Sequence, residues 1–395
     1  MGNWFSGLLN SKKKDELFMV FDIGSSSVGG ALFLAKESGI PEIILSVREN
    51  IVLESELNPD RFLLLTIKAL ETVIGRLCLS GMGAPKQAFC VLSSPWYASQ
   101  TRIIKFKKDT PFSFTEELAN ELIQKEMGLF KQEHLSNYME AGNKVVQIEI
   151  KNMNIMLNGY GAAKPLGQKA KELEMMIFVS MSGDQVLQKI EEAITRHFHL
   201  KKINHCSFIM SSYVVTRDLF SHHKDFLLVD IGGEMTDISL IKKEVLSESA
   251  SFPLGNNFMI RKIASTLKCS LGEAKSLFSL YIDGHADLAT EKKLESIMTG
   301  LKEEWLKSFQ ETLTNLSKDI SIPSTVFITI DQELAPFFSE IIRNEQFNQY
   351  VLTEEKFNII LMDTKTVHGL VNFKGIIPRD PFLSIEAIYI NRFLC

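Results

Sequence analysis

The sequence has no long apolar run. No stretch approaches the ~18 continuous apolar residues that a bilayer-crossing helix needs, and the first residues lack the order of basic segment, apolar core and cleavage site that marks export; a cytoplasmic chain is expected. Cysteine is sparse and scattered. Cys78, Cys90, Cys206, Cys269 and Cys395 form no CxxC pair and are odd in number, so neither a disulfide framework nor a zinc site is indicated. Neither sign of charge is in large excess, and a net charge of −5 argues against nonspecific nucleic-acid binding as the main role. There is no GxSxG, no Walker GK[ST] and no catalytic Cys/His pattern, which leaves hydrolase, P-loop and thiol-enzyme readings without support. His197 and His199 form an HxH and His205 adjoins Cys206, but no partner stands at metal-ligand spacing.

What is present is a soluble globular composition, 45% hydrophobic and 23% charged, in a chain of 395 residues, enough for two to four units at roughly 100–200 residues per domain. Two stretches stand out. In FMVFDIGSSSVGGALF (18–33) a strand apolar on both faces ends in Asp22 and Gly24, then Ser25, Ser26 and Ser27, before a second strand. Such a turn can hold a phosphate, because glycine frees the backbone to point its N–H groups at an anion while a carboxylate at the strand end can hold Mg²⁺ through water. An ordinary hairpin uses the same residues. DFLLVDIGGEMTDISLIKKEVL (225–246) repeats the plan: a buried strand ends in Asp230, Gly232 and Gly233, and a second strand follows through Thr236 and Asp237. Two such turns in duplicate strand contexts suggest a nucleotide-type cleft, gripped from both sides.

Between the turns the pattern reads strand (EIILSVREN), helix (61–80) and strand (AFCVLSSPW), a mixed sheet with helices packed on it. From about Pro95 a smaller inserted unit starts: a strand around TRIIKFK, a helix capped by Thr115, a strand around VVQIEI, a turn at Asn158–Tyr160 and a long strand before a helix over 182–198, with Ser182 as its expected N-cap. Residues 291–321 read as a long helix that packs a small helical subdomain. At the start, Trp4, Phe5, Leu8 and Leu9 share one helical face ahead of Lys12, Lys13 and Lys14; this fits a membrane-surface segment and equally a frayed tail.

DIGSSSVGGAL and VDIGGEMTDISL resemble the two phosphate motifs of the actin-like ATPase superfamily, and PLGNNFMIRKIA (253–264) is similar to the glycine-containing segment and helix that follow the second. NGYGAAKPLGQKAKELEMMIFVS resembles the segment that closes the inserted SHS2-type subdomain of the FtsA and PilM branch. The resemblance implies an α/β fold: actin-like (ribonuclease H-like) duplicated core domains with an inserted SHS2-type α+β subdomain. Its expected division is a tail at 1–17, a first core domain at 18–94 and 175–222, the insertion at 95–174, a second core domain at 223–262 and 321–395, and a small helical lobe at 263–320. It further implies that Gly24, Ser25, Ser26, Gly232, Gly233, Thr236 and Gly255 lie at the phosphates of ATP, with Asp22 and Asp230 near Mg²⁺ through water.

Three departures stand beside these matches. Glu234 replaces a small residue in the second turn, Lys275 and Phe278 stand where the family places Glu and Lys against the ribose, and Ile330, Asp331 and Gln332 replace the Gly-Gly turn under adenine. Phosphate motifs beside an eroded adenosine side imply at most a weak ATPase, with no catalytic residue assigned. The expected function is an FtsA-like assembly scaffold of cell division at the inner face of the membrane, touching division-ring proteins, further copies of itself and the membrane surface. A PilM-like component of type IV pilus assembly, with pilus-assembly partners, and an active ATPase or kinase are the alternatives.

Overall fold

The computed structural model describes residues 16–140, 144–200, 202–316, 322–344 and 356–395; the N-terminal segment expected at the membrane surface lies outside them. The chain runs β1 (Glu16–Ile23), β2 (Ser27–Ala35), β3 (Glu42–Asn50), α1 (Pro59–Leu79), β4 (Ala88–Leu92), β5 (Ala98–Ser113), α2 (Glu116–Glu140), β6 (Val145–Leu157), β7 (Tyr160–Gly161), β8 (Lys169–Gly183), α3 (Asp184–Thr195), β9 (Ile203–Ser207) and α4 (Phe208–Leu219). It continues β10 (Phe226–Ile231), β11 (Thr236–Lys242), β12 (Val245–Phe252), α5 (Asn256–Leu267), α6 (Leu271–Ile282), α7 (Leu288–Leu316), β13 (Thr325–Ile330), α8 (Ala335–Asn344), β14 (Asn358–Leu361), β15 (Asn372–Phe373) and α9 (Pro381–Phe393).

Three sheets form among the described residues: β15-β3-β2-β1-β4-β9, β12-β11-β10-β13-β14 and β5-β8-β6-β7. The first two share one plan. β1 pairs antiparallel with β2 and parallel with β4, and β10 pairs antiparallel with β11 and parallel with β13, so Asp22 and Asp230 occupy matching places near the ends of central strands. The central strands are apolar on both faces because helices cover both: α1 and α3 pack on one face of β1 and α5, α7 and α8 on one face of β10, while α4 and α9 fill the core on the other side. α1 follows from its local signals: Asn58 accepts the Arg61 N–H at 3.0 Å as N-cap, Pro59 opens the first turn, and Phe62, Ile67, Leu70, Val73, Ile74 and Leu77 form the buried face.

One core joins the first two sheets, with Phe18, Phe33, Phe89, Phe226 and Phe327 meeting α4 and α9. α9 is buried on every side from Leu383 to Asn391. A second core fixes α7 to the second sheet through Trp305, which stacks on Phe309 with centroids 5.1 Å apart. Side chains of this size each contribute roughly 1.5–3 kcal/mol on burial, which is what anchors the strand ends that carry the turns.

The third sheet and α2 enclose a core of their own. Thr115 caps α2 as expected, accepting the Leu118 N–H at 3.2 Å. Ser182 does not cap α3. It remains in β8, where its hydroxyl donates to the Trp96 carbonyl at 2.6 Å, and Gly183 takes the N-cap position without a side-chain bond. Buried there, the hydroxyl is satisfied by that bond. No described helix is long and apolar enough to cross a membrane.

Candidate functional site

The two turns meet. In the first, the Gly24 N–H donates to the Ser27 carbonyl at 3.2 Å; in the second, the Gly232 N–H donates to the Met235 carbonyl at 2.9 Å. Between them the Glu234 N–H donates to Ser25 Oγ at 3.1 Å. A Cβ on Gly233 would lie 2.7 Å from the Ser25 carbonyl oxygen, so only glycine permits this approach of backbone to backbone. Asp22, Gly24, Ser25, Ser26, Asp230 and Gly232 are brought around one cavity of about 30 Å³, room for two or three water molecules. Gly233, Thr236 and Gly255 stand behind it. The carbonyls of Gly232 and Gly233 accept the N–H groups of Asn256 (3.0 Å) and Asn257 (2.9 Å), the opening amides of α5, for which Gly255 is the N-cap. Thr236 Oγ1 donates to the Leu254 carbonyl at 2.8 Å.

The charge around the cavity centres on Arg48, which the sequence reading passed over. Its Nη2 donates to Asp22 at 2.7 Å and to Asp380 at 3.0 Å, its Nε to Asp380 at 2.5 Å, and its Nη1 to Ser27 Oγ at 2.8 Å. Gly29, opposite Arg48 on β2, leaves the guanidinium its space; a Cβ there would come within 2.7 Å of Nη2. Burial works against the Arg48 charge, yet Asp380 and Asp22 hold its pKa well above the ordinary arginine value.

The carboxyls behave in the opposite sense. Burial raises Asp22 against the pull of Arg48, and burial with the nearby Asp237 raises Asp230 well above the carboxylate range. Burial also raises Asp237, against hydrogen bonds from Ser251 and Ser94, the latter at 2.8 Å. Glu386 of α9 is wholly buried beside Asp22, and burial followed by the neighbouring Asp22 pushes it well up. The cleft therefore holds several reluctant acids and one guanidinium that serves two of them.

Glu234 turns away from the cavity. Its carboxylate accepts Arg261 Nη1 at 2.6 Å, Arg261 Nη2 at 2.8 Å and Asn257 Nδ2 at 2.7 Å. This is the two-pronged geometry that makes arginine–carboxylate pairs strong. Glu234 therefore removes its charge from the turn by its rotamer, and closes that flank in doing so.

On the expected adenosine side, Phe278 is 2% exposed and packs edge-on against Phe337 in the second core, so it faces no cleft. Asp331 lies on the cavity and is raised by burial, against the pull of Arg48 and Lys275. The residues present do not fit a magnesium-bound triphosphate in this arrangement. The opening amides of α5 are already taken, and the acids around Asp22 repel a polyanion in a medium where charges are poorly screened. Among the described residues no group of three or more His, Cys, Asp or Glu side chains could hold a metal ion.

No protein-family model matches the sequence, and no curated protein matches it. Solved structures are similar. The structure described as "PilM-PilN type IV pilus biogenesis complex" matches with a TM-score of 0.59 over 95% of this chain and 95% of that chain, at 13% identity. The chain has an actin-like ATPase fold. Other matches are the ethanolamine utilization protein EutJ from Carboxydothermus hydrogenoformans (TM-score 0.42, 12% identity, 97% of this chain and 92% of that one) and a Bacteroides thetaiotaomicron protein with an actin-like ATPase fold (0.36, 9%, 97% and 99%). The cavity lies where the two core sheets present their Asp-Ile-Gly turns, and the turns touch each other beside it.

Proposed function

We propose that the chain is a PilM-like scaffold of type IV pilus assembly that works through protein contacts at the inner face of the cell membrane, with ATP binding weak or lost. The observation that carries this reading is the match to the PilM-PilN complex, which covers 95% of each chain. The contact of Ser25 with Glu234 supports the second half of the proposal, because the turns hold one another directly. On this reading the third sheet is an SHS2-type insertion, and the two turns of Asp22–Ser26 and Asp230–Thr236 serve as joints between sheets. A division scaffold would use the same fold with other partners.

Affinity purification of the tagged chain from its own cells tests the proposal. Recovery of pilus-assembly membrane proteins, in equal yield with and without Mg-ATP, is the expected outcome. Recovery of division-ring proteins in their place would overturn the pilus assignment, and a yield that depends on ATP would overturn the nucleotide-independent part.

A further inference from the structure

Arg261 reaches both sides of the cleft. Besides its fork on Glu234, its Nε donates to the Glu54 carbonyl at 2.8 Å. Glu54 belongs to the loop of residues 51–58 that leads from β3 to α1, on the first sheet, whereas Arg261 lies on α5 behind the second. The loop is pinned elsewhere too: the Ile51 N–H donates to the Ser26 carbonyl at 2.9 Å, Leu53 packs against the second core, and the Glu54 carboxylate pairs with Arg61. One buried carboxylate thus organises a chain of contacts from the second turn to the first sheet. Glu234 is 6% exposed and the Arg261 side chain 19%, so the pair is shielded from solvent.

The donors on Glu234 form a receptor for an oxyanion. Two guanidinium N–H groups and an amide N–H converge on two oxygens, and the Ser25 hydroxyl lies against the same turn. A phosphate group offers oxygens with the spacing that such a fork accepts. We propose that Arg261, Asn257 and the second turn form a phosphate-type anion receptor that the chain fills with its own Glu234 carboxylate, and that this internal anion latches the loop of residues 51–58 across the two sheets. The inference rests on the nucleotide-independent reading of the cleft and places the internal anion on the flank of the second turn, against the loop of residues 51–58 and outside the cavity between the turns.

The geometry explains how a glutamate fits in a turn directly after Gly232 and Gly233. Its backbone N–H serves Ser25 while its side chain extends to α5. An aspartate in this place would be one methylene shorter, and a glutamine would lose the charge on which the Arg261 fork depends.

The test compares the wild type with Glu234→Gly, Glu234→Gln and the double variant Glu234→Gly/Arg261→Met. Each is titrated calorimetrically with pyrophosphate, and hydrogen exchange is followed in residues 51–58. Pyrophosphate should bind Glu234→Gly at least tenfold more tightly than wild type, and the gain should vanish in the double variant. The loop should exchange at least tenfold faster in Glu234→Gly and slow again when pyrophosphate saturates it; Glu234→Gln should show the faster exchange as well. A folded Glu234→Gly that gains no pyrophosphate binding, or loop exchange unchanged in both single variants, overturns the latch. If Glu234→Gly fails to fold, unchanged loop exchange in Glu234→Gln alone overturns it. Micromolar Mg-ATP binding by the wild type would sink the nucleotide-independent function and is read separately from the pyrophosphate arm.

Discussion

Replacing Arg48 by methionine isolates the role of charge in the cleft. Methionine keeps much of the stem that packs near Phe382, over whose ring the guanidinium carbon lies at 5.3 Å, but removes the cation that Asp22 and Asp380 share. Those two side chains are only 4% and 12% exposed and that of Arg48 24%, so water cannot replace the lost partner. Stranding a buried charge in this way costs about 3–5 kcal/mol.

The variant can limit the cost by taking up a proton, which makes the loss depend on pH. Asp22 is already raised by burial against the pull of Arg48; without Arg48 its folded-state pKa climbs further above the unfolded value. The folded variant then binds protons more tightly than the unfolded chain, and its stability is lost as pH rises through the folded pKa. Relative to wild type at the same pH, the deficit should be about 3–5 kcal/mol at pH 7.5 and smaller at pH 5. Adding Asp22→Asn should recover part of it at pH 7.5. Urea unfolding followed by tryptophan fluorescence measures both quantities. A deficit below about 1 kcal/mol, or one that is equal at the two pH values, would refute the assignment of Arg48 as the counter-ion of a buried carboxylate.

Two further substitutions probe the same region. Glu386→Gln replaces a wholly buried acid whose pKa is raised by burial and by Asp22; because the raised acid's contribution is full below its unfolded pKa of about 4.3 and is lost as pH rises through its folded pKa, the variant should gain on wild type as pH rises, by at most about 1.4 kcal/mol per pH unit. Thermal melts from pH 4 to pH 8 measure this, and a pH-independent difference would count against it. Tyr389→Phe removes the hydroxyl that donates to Glu149 at 2.7 Å, leaving the Ser207 N–H and hydroxyl on that buried carboxylate; a loss of about 1.5–3 kcal/mol in urea unfolding is expected for a bond to a charged group, and an unchanged midpoint would contradict it.

The two turns were legible in the sequence because each couples a doubly apolar strand to Asp-Ile-Gly, a pattern local enough to read without knowing the fold. Thr115 and the Asn158–Tyr160 turn were legible for the same reason. The chemistry that occupies the cleft was not, since Arg48, Asp380 and Glu386 come from distant parts of the chain and meet only when α9 returns to the first sheet. Signals did exist. Glu386 is the lone acid in LSIEAIYI, a helical stretch with no polar face, and Arg48 sits in a strand opposite a glycine. The first marks an acid with no route to solvent. Glu234 was recognised as a departure in the second turn, but the residue that accommodates it, Arg261, lies a helix away and gives no local hint of the pairing.

The burial of α9 has a consequence for the order in which the chain can be completed. Asn391 Oδ1 accepts the Lys36 N–H at 2.9 Å across a sequence separation of 355 residues, and the helix that carries it fills the core on which β1 and β2 rest. At ribosomal rates of about 5–20 residues per second, the early strands wait roughly 20–70 s for that helix. Through this interval Phe18, Val20, Phe33 and their neighbours lack part of their covering. The nascent chain is thus exposed to wrong partners longest at the very strands that carry the first turn, and chaperone demand should fall on the newly made protein and not on the finished one.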